Sequence, residues 1–229
     1  MFSEKLLNDK AFIQPGIQQP FLIVENALLP EFAEQLYSEL QASDAWQTSD
    51  PSSFTAEEKA VIPAGYSFTR EIINLDDEKL PATVKKLYQY LKSDECLKWI
   101  SEMSGRRCDD FSGACARYLG GNHLNSHNDF YMKRQPDGSM LTRTVTFNYY
   151  LTKDWSAEWG GNFVWENPHN RITPSFNTLV LFLVGHDSMH HVEAVDQAAT
   201  SPRVAFTGWF TTRRKAGDRK LNISTGSDG

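Results

Sequence analysis

Beyond Gly105 the chain breaks into short runs in which apolar, β-branched and aromatic residues alternate with polar ones. They are GACARYL (113–119), LTRTVTFNYYLT (141–152), GGNFVWEN (160–167), NTLVLFLV (177–184), MHHVEAV (189–195) and PRVAFTGWFTT (202–212). Gly, Pro, Asn and Asp separate them, and many short strands at this spacing predict a sandwich or barrel. Before Gly105 the period changes. FLIVEN (21–26) reads as one buried strand, but Leu29, Phe32, Leu36 and Leu40 then recur at helical spacing, with Pro30 suited to a first turn. Pro81 opens a second helix that carries Val84, Leu87, Tyr88 and Leu91 on one face, and a third runs from a cap at Ser93 or Asp94 to Gly105. The polar stretch 46–65, rich in Ser and Pro, reads as a long loop or flap. The segment from Lys215 reads as a frayed polar tail. The pattern therefore predicts one mainly β domain over 1–229, with helical N-terminal support over about 1–105, a β core over about 106–214 and a tail over 215–229.

Composition narrows the function classes. A chain of 229 residues that is 40% hydrophobic and 12% aromatic can fill a core. A net charge of −6, without a long Lys/Arg run, argues against a nucleic-acid partner. No stretch approaches 18 consecutive apolar residues, which argues against a membrane span, and MFSEKLLNDK lacks the basic start and apolar run of a secretory signal. Cys96, Cys108 and Cys115 cannot all pair and show no CxxC spacing, so they read as reduced thiols in a cytoplasmic setting.

The densest polar chemistry lies in NHLNSHNDFY (122–131). His123 and His127 are four apart, as in a zinc-binding helix, but Leu-Asn-Ser stands between them, without the glutamate such a site needs. On a strand, His127 and Asp129 would project to one side with Asn128 opposite, giving two adjacent metal ligands. A facial triad for iron(II) needs a second histidine from elsewhere. SMHHVEAV (188–195) supplies a histidine pair just after the apolar strand NTLVLFLV, and SPRVAFTGWF then places Arg203 at the head of an apolar strand. A guanidinium entering a barrel needs an anion, and its planar fork suits a carboxylate.

Taken in order, these segments resemble the Fe(II)/2-oxoglutarate-dependent dioxygenases, in their prolyl-4-hydroxylase-like branch. RYLGGNHLNSHND (117–129) is similar to the family's Tyr-x-x-Gly followed by His-x-Asp. RTVTFNYYLTKDWSAEWGGNF (143–163) is similar to its Tyr-Tyr-Leu and Gly-Gly strand pair, and ITPSFNTLVLF (172–182) to the turn and strand before the distal histidine. The resemblance covers roughly 114–210 and implies a double-stranded β-helix (jelly-roll) core. It implies iron ligation by His127, Asp129 and His190, the family's His-x-Val selecting His190 over His191. It gives Arg203 and Tyr150 to the far carboxylate of 2-oxoglutarate, and Tyr118 to the cosubstrate nearer the metal. His123, His169, His186 and His191 are left to surface or supporting positions. Asn177 stands where the family often has glycine, and the segment holding DQAATSP is longer than usual.

The resemblance further implies Fe(II), 2-oxoglutarate and O2 as cofactor and cosubstrates, with ascorbate as a supporting reductant. The reaction is hydroxylation of a C–H bond with release of succinate and CO2. Halogenating relatives lack the metal carboxylate, so Asp129 favours hydroxylation. A prolyl residue of a protein or peptide is the first substrate candidate, and a free or carrier-bound amino acid or other small metabolite the second. A metal- or sugar-binding jelly roll without oxygenase chemistry would not need Arg203 and Tyr150. The segments 131–141 and 48–65 are candidate substrate-contacting loops.

Overall fold

The period-two runs fold into one curled antiparallel sheet. The computed structural model describes residues 1–8, 21–56, 59 and 65–215. In chain order its elements are α1 (Glu4–Asn8), β1 (Phe21–Glu25), α2 (Pro30–Ala42), β2 (Gln47–Ser49), β3 (Phe68–Asn74), α3 (Ala82–Leu91) and α4 (Asp94–Ser104). There follow β4 (Asp110–Tyr118), β5 (His123–His127), β6 (Met132–Arg134), β7 (Met140–Tyr150), β8 (Phe163–Glu166) and β9 (His169–Ile172). β10 (Thr178–Leu183), β11 (His190–Val192) and β12 (Arg203–Arg214) complete the set. The strand order is β1-β10-β7-β12-β4-β3-β5-β11-β8-β9, with β2 paired to β3 and β6 to β7. This is a jelly-roll core, and its curl comes from β3. Phe68 and Thr69 pair with β5, whereas Glu71 to Asn74 pair with β4, so one strand joins both halves of the roll.

Alternation along the strands divides two environments. On β10 and β12, Leu179, Leu181, Phe206 and Phe210 join a core that includes Leu36 and Leu40 of α2, Val84, Leu87 and Leu91 of α3, and Ile100 of α4. Burial of each such Leu or Phe contributes about 1.5–3 kcal/mol. Val180, Phe182 and Ala205, one position out of phase, face the inside of the roll with Phe163 and Trp165. That double burial explains why NTLVLFLV is apolar on both faces.

The helices begin and end where their sequence signals stand. Pro30 occupies the first turn of α2. The Ser93 hydroxyl accepts the Cys96 amide at 3.3 Å at the start of α4, and Gly105, at φ 63°, ends that helix in the left-handed conformation.

Three features differ from the sequence reading. The region before residue 105 is more than helical support, because β1, β2 and β3 are members of the sheet. The stretch 46–65 is not simply a loop: β2 pairs with β3, a 3-10 turn spans Pro51–Ser53, and residues 57, 58 and 60–64 lie outside the described residues. The segment 131–141 is a hairpin in which Met132–Arg134 pair with Thr142–Met140, tied at its turn by the Asp137 carboxylate accepting from the Ser139 amide at 3.0 Å. The tail expected from Lys215 lies outside the described residues beyond Lys215 itself. The long connection to β12 has a definite seat: the Gly121 amide donates to Val195 O at 2.7 Å and the Val195 amide to Asn122 O at 2.9 Å.

Candidate metal and cosubstrate site

His127 and His190 are direct partners on neighbouring antiparallel strands, β5 and β11. Directly opposed residues share a face, and the two imidazole rings lie 4.2 Å apart. Asp129 reaches them by a different route from the strand alternation expected. β5 ends at His127, and Asp129 sits in the following turn with a left-handed φ of 59°. Asp and Asn tolerate that region better than other side-chain-bearing residues. Asn128 fixes the turn: its Oδ1 accepts the Phe130 amide at 3.0 Å, its Nδ2 donates to His186 O at 3.2 Å, and its own carbonyl accepts the Ser188 hydroxyl at 2.6 Å.

The outcome is a three-sided cluster. His127 Nε2 lies 3.2 Å from Asp129 Oδ1, His190 Nε2 lies 3.5 Å from Asp129 Oδ2, and one ligand atom from each residue falls within 4.8 Å of the others. The far ring nitrogens are engaged: His127 Nδ1 faces Asn125 O at 2.8 Å and His190 Nδ1 faces Ser188 O at 2.7 Å. A carbonyl can only accept, so each Nδ1 carries the proton and each Nε2 presents a lone pair to the cluster. Burial pushes the His190 imidazole down to about 4, leaving it neutral at physiological pH. Burial works against ionisation of Asp129, but the imidazoles of His190 and His127, in their protonated form, outweigh it and hold the carboxyl well below its usual range. Thr146 donates its hydroxyl to Asp129 Oδ2 at 3.2 Å, and Phe163, Trp165 and Phe182 surround the His190 ring.

The cluster opens into a cavity of about 320 Å3 that Arg203 and Tyr118 also line. Arg203 is buried at the head of β12, with its guanidinium carbon 4.8 Å from the Tyr118 ring centre and 5.1 Å from that of Tyr150. Its Nε donates to Gly161 O at 2.7 Å. Gly161 has φ 63°, and a β-carbon there would stand 3.3 Å from Arg203 Cδ and 3.0 Å from the Trp155 ring. The glycine pair of the sequence thus seats the arginine. The Tyr150 hydroxyl is buried without a hydrogen-bond partner, and burial pushes its pKa up to about 12 against the pull of Arg203. A buried donor beside a buried cation fits a carboxylate.

The remaining histidines stand outside this cluster. His123 lies within β5 and bonds the Ser67 hydroxyl at 2.8 Å; His191 faces Glu166 at 3.0 Å; His169 and His186 are exposed. Asn177 adopts a left-handed φ of 54°, and its side chain bonds both the amide and the carbonyl of Leu28, which accounts for an asparagine at a glycine-like position. Sequence reasoning missed Thr146, Asn128 and Ser188, which orient the cluster, and Arg70 and Arg143, which line the cavity. Thr146 could have been found, since Thr146, Asn148 and Tyr150 follow one another at strand period on β7.

Residues 113–211 match a family model described as the 2OG-Fe(II) oxygenase superfamily. The chain is 24% identical over 250 residues to mouse prolyl 3-hydroxylase OGFOD1; the match takes in 89% of this chain and 44% of that protein, so this chain spans less than half its relative's length. In fold it is similar to a Pseudomonas putida prolyl-4-hydroxylase, with TM-score 0.62, 20% identity, and 93% of this chain and 98% of that one covered. It is also similar to a Trichoplax adhaerens prolyl hydroxylase solved with a hypoxia inducible factor oxygen degradation domain peptide, with TM-score 0.59, 23% identity and 84% of each chain covered. Over residues 113–211 the chain is thus similar to the 2OG-Fe(II) oxygenase superfamily, and in fold it is similar to the prolyl 4-hydroxylases.

Proposed function

We propose that the chain, as one oxygenase domain, is an Fe(II)- and 2-oxoglutarate-dependent dioxygenase that hydroxylates a prolyl residue of a protein or peptide. The observation that carries this reading is the convergence of His127, Asp129 and His190 in a cavity that Arg203 also enters. The donor set of two imidazoles and one carboxylate suits iron(II) and leaves coordination positions open. Bound iron(II) with 2-oxoglutarate and O2 would supply the oxidation, which yields succinate, CO2 and a hydroxylated carbon.

The protein's own residues would do the holding. His127 and His190 would offer Nε2, with their Nδ1 protons anchored on Asn125 and Ser188 carbonyls. Asp129 would offer a carboxylate oriented by Thr146. Arg203, steadied by Gly161 O, and the Tyr150 hydroxyl would take the far carboxylate of the cosubstrate. Tyr118, whose hydroxyl accepts from Arg70 Nη1 at 3.4 Å, would border the cosubstrate from the cavity wall. The aromatic wall of Phe163, Trp165 and Phe182 would exclude water around His190.

The prolyl assignment draws support from what the similar proteins are described as acting on, and Tyr131 and Met132, exposed on the hairpin beside the cavity, suit contact with a peptide. The three buried, unpaired cysteines suit a reducing, cytoplasmic compartment. Proline-containing peptides incubated with the protein, Fe(II), 2-oxoglutarate and ascorbate should gain about 16 Da in step with succinate release. Steady succinate formation in which no peptide gains mass, while a free amino acid does, would replace the prolyl substrate with a small one.

A further inference from the structure

The cavity carries more positive charge than the proposed reaction centre uses. Its lining includes three arginines, Arg70, Arg143 and Arg203, and one carboxylate, Asp129. On the reading above, the three positive charges of iron(II) and Arg203 are matched by Asp129 and the doubly negative 2-oxoglutarate. Arg70 and Arg143 remain unmatched. Among the described residues neither has a carboxylate within ion-pair distance, and Asp129 acts on both only from further off. Arg70 Nε is buried with no hydrogen-bond partner among the described residues, and its Nη1 donates to the Tyr118 hydroxyl at 3.4 Å. The Arg143 guanidinium carbon lies 3.5 Å from the Trp209 ring centre and 4.9 Å from that of Tyr131. The Trp209 indole N–H is itself buried, unpartnered and part of the cavity wall.

The chain sets these donors deliberately from three strands. Trp209 follows Arg203, Ala205 and Thr207 at period two on β12, so all four line the cavity. Arg143 would point away from the cavity on a regular strand, being out of phase with Asn148. A bulge in the β7–β12 pairing, where Phe210 faces Val145 but Thr211 faces Arg143, restores it to the inner side. Arg70 arrives on β3, the strand that joins the two halves of the roll. Guanidinium groups with no anion in a partly buried wall are costly as structure and useful as a binding surface.

We propose that the substrate presents a carboxylate to Arg70 and Arg143, so that the carbon to be hydroxylated lies close to an acidic group. The inference rests on the dioxygenase reading and specifies its substrate class. Planar guanidinium forks match a carboxylate in shape as well as charge. Exposed Tyr131 places the mouth of the cavity at the protein surface beside Arg143, where an acidic side chain next to a proline could enter, as could a free acidic amino acid.

Calorimetric titration tests this under anaerobic conditions, on protein loaded with Fe(II) and the unreactive cosubstrate analogue N-oxalylglycine. The probes are blocked peptides with one proline flanked by Asp, Asn or Lys, and free L-aspartate and L-glutamate beside their amides. The acid form, in peptide or free amino acid, should bind about tenfold or more tightly than its amide; which of the two does so identifies the source of the carboxylate. Arg70→Gln and Arg143→Gln should each remove that preference, and Arg70→Lys should keep part of it. The comparison of acid with amide needs only the unaltered protein, so a folding defect in a variant does not blunt it. Equal affinity for acid and amide, including no measurable binding of either at millimolar concentration, overturns the proposal. So does an R70Q protein that keeps the acid preference but binds 2-oxoglutarate more weakly, since Arg70 would then serve the cosubstrate. Failure of the parent reading looks different: the unaltered protein would form no Fe(II)–2-oxoglutarate chelate at all.

Discussion

The Tyr150 hydroxyl is buried with no partner, and a buried unsatisfied hydroxyl costs on the order of 1–3 kcal/mol. If that hydroxyl serves the cosubstrate, Tyr150→Phe has opposite effects on two measurements. Thermal unfolding of the metal-free protein should show stability unchanged or raised by about 1 kcal/mol, while a 2-oxoglutarate titration should show affinity lowered several-fold. A loss of stability with unchanged affinity would make Tyr150 an ordinary core residue. Thr146 acts one step further from the metal. Groups that orient a metal ligand typically affect metal affinity about 10- to 100-fold, so Thr146→Val, nearly isosteric, should weaken Fe(II) binding by about tenfold. Equilibrium dialysis checks this, and unaltered affinity would show that the Thr146–Asp129 bond is incidental. At this scale the sequence exposed the chemically distinctive residues, His127, Asp129, His190 and Arg203. It hid Ser188 and Asn128, because a hydroxyl or amide has no signature until its neighbour is known, and it marked Thr146 only by its strand period with Tyr150.

Among the elements, β5 and β11 set the site by pairing His127 directly with His190. The patterning of β11 was legible, but β5 over His123–His127 and the route of Asp129 were not: alternation predicts Asp129 on a strand, and a left-handed turn after β5 places it instead. β3 was invisible for a related reason. Its polar residues each have a local purpose, Arg70 toward the cavity and Glu71 in an ion pair with Arg117, so the strand shows no apolar alternation. The bulge that turns Arg143 inward is equally silent in sequence, since one extra residue on a strand leaves composition unchanged. The connection holding Gly161 offers an element-level test. A methyl group there would strain a left-handed backbone and press on Arg203 Cδ and Trp155. Gly161→Ala should therefore lower the melting temperature and weaken 2-oxoglutarate binding together, as read by thermal melting and cosubstrate titration. A drop in stability with cosubstrate affinity intact would detach this loop from the seating of Arg203.

Across the whole molecule, the fold explains why a chain with a net charge of −6 can hold a cationic chamber. The helices cover one face of the sheet, and the other face curls around Arg70, Arg143 and Arg203. The overall plan was legible because strand and helix periods change cleanly at Gly105 and because the motif segments occur in family order. The partition at that residue was less faithful, since β1 to β3 return from the N-terminal region to complete the roll. The central claim is that His127, Asp129 and His190 hold iron(II) together with 2-oxoglutarate. Anaerobic addition of both to the purified protein, followed by visible absorption, tests it most directly. The account predicts a charge-transfer band that saturates at one equivalent of iron and is absent from His127→Ala, Asp129→Ala and His190→Ala proteins that still fold. A band that persists undiminished in these three variants, or none in the unaltered protein, would contradict it.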